Sequence, residues 1–134
     1  MKLLHTSDWH LGQTLNQYDR TFEHEQFLSW LLNTLESEQI DALLIAGDVF
    51  DNANPSAASQ RQHYTFLTQA RVRVPCLNIV ITAGIHDSPG RTEAPAPFLG
   101  LFDAHVVGHT GKQVVSLDLS RIVVPFKPRN DSIA

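Results

Sequence analysis

The chain of 134 residues contains one cysteine, Cys76. A single thiol can form neither an intrachain disulfide nor a thiolate zinc site, and such usage fits a reducing, cytoplasmic setting. Long apolar runs are missing as well. No stretch reaches the about 18 residues that a membrane-spanning helix needs, so no membrane span is expected. The first residues meet Asp8 and His10 before the apolar core of a signal peptide could form. Nor is there an excess of positive charge. Ten Lys and Arg stand against fourteen Asp and Glu, giving a net charge of −4 and a pI near 5.9. That excludes a generally basic nucleic-acid coat, while leaving room for a local patch or for metal ions at a phosphate. Repeats, low-complexity tracts and internal linkers are absent too.

What is present is a globular balance of residues. Hydrophobic residues make up 43% and charged residues 18%, and the length fits one small domain able to bury a modest core. Residues 2–5 read as a short strand running into the polar loop Thr6-Ser7-Asp8-Trp9-His10. Residues 18–37 read as an amphipathic helix: Phe27, Leu28, Leu31, Leu32 and Leu35 share one face, and Glu23, Glu25 and Glu36 can occupy the other. Residues 40–46 form an apolar run suited to a strand buried on both faces, ending in Gly47-Asp48. A second helix is expected from Asn54-Pro55, with Asn as cap and Pro in the first turn, to about Ala70. A third strand spans 76–82. A short helix is expected near 97–102, followed by strand candidates at 104–107, 113–117 and 121–124. The alternation strand–helix–strand–helix–strand implies an α/β fold with a parallel sheet and right-handed crossovers, and the later strands imply a second sheet or an extension of the first.

Three of these strands end in a cluster of carboxylate or imidazole groups. Ligands of open parallel sheets bind beyond the carboxyl ends of the strands, so Asp8 and His10, Asp48 and Asp51, and His86 and Asp87 are expected to converge. Asp8-Trp9-His10 offers an oxygen and a nitrogen two residues apart. This mixture suits Mn²⁺, Fe or Zn²⁺ better than Mg²⁺ or Ca²⁺. After the tight turn at Gly47, Asp48 can bridge two metals and Asp51 can supply a further ligand or hold the loop. His86 can protonate a leaving oxygen or stabilise charge on a phosphoryl group, with Asp87 orienting its ring. Taken singly, each cluster is also an ordinary turn or cap. Three clusters at three successive strand ends point to a metal site.

The stretches His5-Thr6-Ser7-Asp8-Trp9-His10-Leu11-Gly12, Ala46-Gly47-Asp48-Val49-Phe50-Asp51 and Ala83-Gly84-Ile85-His86-Asp87-Ser88 resemble motifs of the calcineurin-like metallophosphoesterases. The first two are similar to those of the SbcD-type nuclease subunits, and the likeness runs from residue 2 to about 129. The resemblance implies an αββα sandwich, of which this chain holds the N-terminal part. It implies a DNA exonuclease and endonuclease acting in repair, recombination and replication, with two Mn²⁺ ions and Mg²⁺ as the other candidate. It also implies a partner ATPase of the SbcC kind, with a homodimer as a further option. Carried over residue by residue, Asp8 and His10 match ligands of the first metal and Asp48 the carboxylate shared by both. Asp51 matches a supporting acid, His86 the catalytic histidine and Asp87 its neighbour.

Two departures follow. Ile85 stands where the family has an asparagine that ligates the second metal, and an isoleucine offers no donor. The family's remaining histidine ligands come from later motifs. His109, directly after residues 98–107, falls too early for them and reads as a loop residue. One weak metal site is therefore expected. Residues 1–134 are expected to be a single nuclease domain truncated on its C-terminal side, with an open sheet edge and an uncovered apolar face that favour aggregation. Two other readings stay open: a phosphoesterase for a different phosphate ester, and a non-catalytic remnant or partner-binding module.

Overall fold

The computed structural model describes residues 1–86, 99–100, 104–108 and 123–126. Its elements, in chain order, are β1 (Leu3–Thr6), β2 (Thr14–Leu15), β3 (Tyr18–Asp19), α1 (Thr21–Ser37), β4 (Ala42–Ala46), α2 (Ala57–Arg73), β5 (Asn78–Thr82) and β6 (Ala104–Val107). Strands β1, β4, β5 and β6 form one sheet in that order, and every pair in it is parallel. This is the expected α/β arrangement with a parallel sheet, and β6 extends the first sheet.

The register fixes two faces. Leu4, Leu43, Ile79 and Ala104 lie in line across the sheet, as do Thr6, Ile45, Ile81 and Val106. Apart from Thr6, these rows belong to the same buried cluster as Leu28, Leu31, Leu32 and Leu35 of α1 and Phe66, Leu67 and Ala70 of α2. Both helices therefore cover one face. Two successive crossovers of the same hand, stepping the same way across a sheet, put their helices on the same side. The other face carries Leu3, His5, Leu44 and His105. It is less covered, with Leu3 and His5 exposed and Leu44 half-buried, although Ala42, Asn78 and Val80 on the same face are buried. The strand expected to be buried on both faces is thus fully buried on one and partly on the other.

Several boundaries differ from the sequence reading, each for a local reason. The first helix starts at Thr21, not at residue 18, because Tyr18–Asp19 pairs antiparallel with Thr14–Leu15. The two hairpin-turn residues, Asn16 and Gln17, both have positive φ (48° and 69°), the conformation of the primed turns that join tight hairpins. The Asp19 carboxylate then accepts the Thr21 amide at 2.6 Å and starts the helix. The second helix is capped by Ser56, whose side chain accepts the Ser59 amide at 3.1 Å, so neither Asn54 nor Pro55 takes the expected part. It runs on to Arg73, past the expected end near Ala70. Strand β4 starts at Ala42 and β5 at Asn78, two residues later than expected in each case. Leu99 is buried in the core, while most of the helix expected at 97–102 and all of the strand at 113–117 lie outside the described residues. Of the strand expected at 121–124, residues 123–124 are described and are irregular.

Two imidazoles sit in this core. His63 on α2 and His24 on α1 are both buried, and Nδ1 of each lacks a hydrogen-bond partner among the described residues. Burial pushes His63 down from its ordinary 6.5 to about 4. Burial, reinforced by the Arg20 charge, lowers His24 as well. The neutral forms are thus the folded forms, whereas the unfolded chain takes up protons near the ordinary value. Stability is full above about pH 6.5 and falls as the pH drops toward 4. His63 alone accounts for roughly 2 kcal/mol between about pH 7.5 and pH 5. Urea denaturation at those two pH values should show this loss in the unaltered chain and a loss smaller by that amount in His63→Phe. Equal losses would mean that the imidazole is solvated. At a position with no titratable group, Leu43→Ala should cost about 2–5 kcal/mol at either pH, since Leu43 is fully buried beneath both helices.

Candidate metal centre

The candidate ligands stand on loops that continue the parallel pairing beyond the strands. The Asp8 amide donates to the Gly47 carbonyl (3.2 Å), the His10 amide to the Asp48 carbonyl (3.0 Å) and the Leu11 amide to the Val49 carbonyl (2.9 Å). The Asp51 amide donates back to the Leu11 carbonyl at 3.2 Å. The loop after β1 and the loop after β4 therefore act as one braced unit. Asp8, His10 and Asp48 all have left-handed backbones, with φ of 56°, 47° and 49°. For non-glycine residues this conformation costs of order 1 kcal/mol or more each, and it persists only where the surroundings impose it. Three such residues side by side mark a place where side-chain direction has prevailed over backbone comfort.

That direction is convergent. One ligand-type atom from each of Asp8, His10 and Asp48 lies within 4.8 Å of the others. The His10 Nε2 atom is on the Asp8 side, 3.8 Å from Oδ1 of that carboxylate. On the far side of the ring, Nδ1 is 3.5 Å from Asp51 Oδ1, within ion-pairing distance but without a hydrogen bond. A carboxylate behind a histidine nitrogen is the arrangement that orients metal-bound histidines, so Asp51 stands where a support would and not in the cluster itself. Two carboxylates and one imidazole in this space fit a first-row divalent cation.

The third loop closes over Asp48. The His86 amide donates to Asp48 Oδ1 at 2.9 Å, and the His86 ring meets the His10 ring edge-on, centroids 5.3 Å apart. Gly84 makes this possible. A Cβ at that position would overlap the carboxylate and the amide of Asp48. Gly47, at φ 80°, is also closely approached, since a Cβ there would lie 2.9 Å from Gly84 Cα. Ile85, between Gly84 and His86, points into solvent with 92% of its surface exposed. Asp87 and His109 lie outside the described residues.

Asp8, His10, Asp48 and His86 are thus brought together, with Asp51 behind His10. The close approach of Gly47 and Gly84 and the contact of the β5 loop with Asp48 are not readable in the sequence. The glycine before each acidic or histidine motif is their only trace there.

Residues 1–125 match the model of the calcineurin-like phosphoesterase family, and the chain belongs to that family. Within it, the chain is similar to proteins named as the SbcD component of the SbcCD nuclease. It is 45% identical to the one from Rhodobacter capsulatus over 99% of its own length, 37% identical to that of Escherichia coli K12 over 83%, and 36% identical to that of Bacillus subtilis over 89%. It spans 33%, 27% and 30% of those three relatives, about a third of their length. No helix among the described residues is long and apolar enough to cross a membrane.

Substitution of Gly84 tests the geometry without a metal. Gly84→Ala should lower stability by about 1–3 kcal/mol, the range for forced overpacking, and should strip the His86 amide of its protection from hydrogen exchange. Unchanged protection of that amide would show that the β5 loop does not rest on Asp48.

Proposed function

We propose that this chain is the metal-binding part of a nuclease domain that hydrolyses DNA phosphodiesters, working with an SbcC-like ATPase. The observation that carries this reading is the convergence of Asp8, His10 and Asp48 at the ends of adjacent parallel strands, with His86 beside them. The similarity to SbcD proteins of the SbcCD nuclease supports DNA as the substrate and an SbcC-like subunit as the partner. A homodimer is compatible with the same reading. The acidic net charge of −4 makes a bound cation the natural means of receiving a polyanion here.

The roles follow from the positions. Asp8, Asp48 and His10 would hold a divalent cation through two carboxylates and an imidazole, with Mn²⁺ the first candidate and Mg²⁺ the second. When bound, such an ion activates water and neutralises charge on the phosphate. Asp51, 3.5 Å behind the His10 ring, would support it once the ion is bound. His86, solvent-exposed and adjacent to the ligand group, would donate a proton to the departing oxygen, with Asp87 as its neighbour in sequence. Among the described residues a second ion would have only Asp48, one of whose oxygens already accepts the His86 amide, because Ile85 offers no donor. We therefore assign one weak site to this chain. The same exposed Ile85 favours a second reading, in which the chain keeps the family fold and a partner surface without catalysis.

Calorimetric titration with Mn²⁺, with DNA cleavage assayed alongside, tests both readings. The unaltered chain should bind one ion. Asp48→Asn should weaken that binding by more than about tenfold, the scale reached even by outer-shell substitutions. Ile85→Asn should gain a second ion or measurable cleavage if the residue at 85 is what limits the site. Binding that survives Asp48→Asn unchanged would remove the metal assignment. A chain that binds its ion yet cuts no DNA, with or without Ile85→Asn, would leave the non-catalytic reading.

A further inference from the structure

We infer that His63 is a positioning residue for the metal group: its buried ring wedges against both Trp9 and Phe50, the aromatic residues set between the candidate ligands on the two braced loops. The inference rests on the reading of Asp8, His10 and Asp48 as metal ligands.

The two loops share a design. Asp8 and His10 flank Trp9, and Asp48 and Asp51 flank Val49-Phe50. The polar members turn outward to the shared site, while Trp9 turns inward and is only 5% exposed. Its indole donates to Thr6 Oγ1 at 3.0 Å and packs edge-on against Phe27 and Phe66, with centroids 5.8 and 5.1 Å away. His63 meets Trp9 edge-on at 6.1 Å and Phe50 edge-on at 5.4 Å. One side chain of α2 thus stands against an aromatic residue of each loop, and the left-handed backbones of Asp8, His10 and Asp48 need such outside support.

The residue type adds a second argument. His63 is buried with Nδ1 unpartnered among the described residues, a place where an aliphatic side chain would serve core stability better. A group that costs stability here is held for its shape. A flat ring can stand edge-on to Trp9 and Phe50 at once, which an aliphatic side chain cannot. Burial keeps it neutral, so no charge is set beneath the ligand group.

The test needs a readout without metal and one with it. Trp9 reports the first through its indole N–H in two-dimensional NMR, distinguished from that of Trp30 by Trp9→Phe. Mn²⁺ affinity, read from the paramagnetic resonance of the free ion, reports the second. His63→Ala should speed exchange of the Trp9 indole proton and weaken Mn²⁺ binding, each on the order of tenfold, as loss of an outer-shell support does. His63→Phe, which restores a ring, should recover most of both. Leu35→Ala is the control. It opens a cavity in α1 near the start of β4, where the Ile40 amide bonds the Leu35 carbonyl, and should lower stability while moving neither readout. The inference is overturned if His63→Ala leaves the indole exchange unchanged, or if Leu35→Ala shifts both readouts as much. If the unaltered chain binds no Mn²⁺, the metal reading falls, and the indole exchange alone still decides whether His63 holds the loops.

Discussion

The parallel pairing of β1 with β4 does not stop where the strands stop. Its continuation through the Asp8–Gly47, His10–Asp48 and Leu11–Val49 backbone bonds is the constraint on which the rest of the site depends. Parallel strands bring equivalent ends together, so two loops from distant parts of the sequence leave the sheet side by side. Each bond satisfies backbone groups that would otherwise be lost near the core, and each also fixes the angle at which a carboxylate or imidazole departs. The candidate ligands are consequently oriented by main-chain hydrogen bonding before any cation is considered.

Much of this is legible in the sequence because it depends on periodicity and on strand ends. The leucines at 28, 31, 32 and 35 announce the buried face of α1, and the apolar runs before Gly47 and Gly84 announce β4 and β5. The parallel topology then puts Asp8, His10 and Asp48 in one place. The hairpin at Thr14–Asp19 is not legible, because its turn is Asn16-Gln17 and lacks the glycine that usually marks a primed turn. The pair Asn54-Pro55 misdirects the cap of α2. Ser56 takes that place because its hydroxyl faces the amide of Ser59. The buried histidines are least legible of all: nothing in the residues around His24 or His63 distinguishes a core imidazole from a surface one, and only packing reveals it.

Backbone geometry and donor atoms are separate requirements of the proposed site. Everything that sets backbone geometry is in place, from the paired glycines to the amide of His86 on Asp48. Ile85 disturbs none of it, since its side chain lies in solvent. What it lacks is a donor atom. Under the proposed assignment, the described loops keep their geometry while position 85 contributes no donor.

The wide spacing of the strand partners also governs how the molecule is reached. Leu3 pairs with Ala42, and Ala42 pairs with Asn78, so each of these contacts closes a long stretch of chain. Such non-local pairing slows folding, because loop entropy is lost before the contact returns anything. Helices α1 and α2 and the small hairpin can form from near neighbours, but β1 must wait for β4, and the loop after β4 must wait for β5. During synthesis the loop after β1 therefore emerges early and stays unbraced until Gly47, Asp48 and Val49 have followed it, so that the proposed ligand group comes together only once β4 has been made.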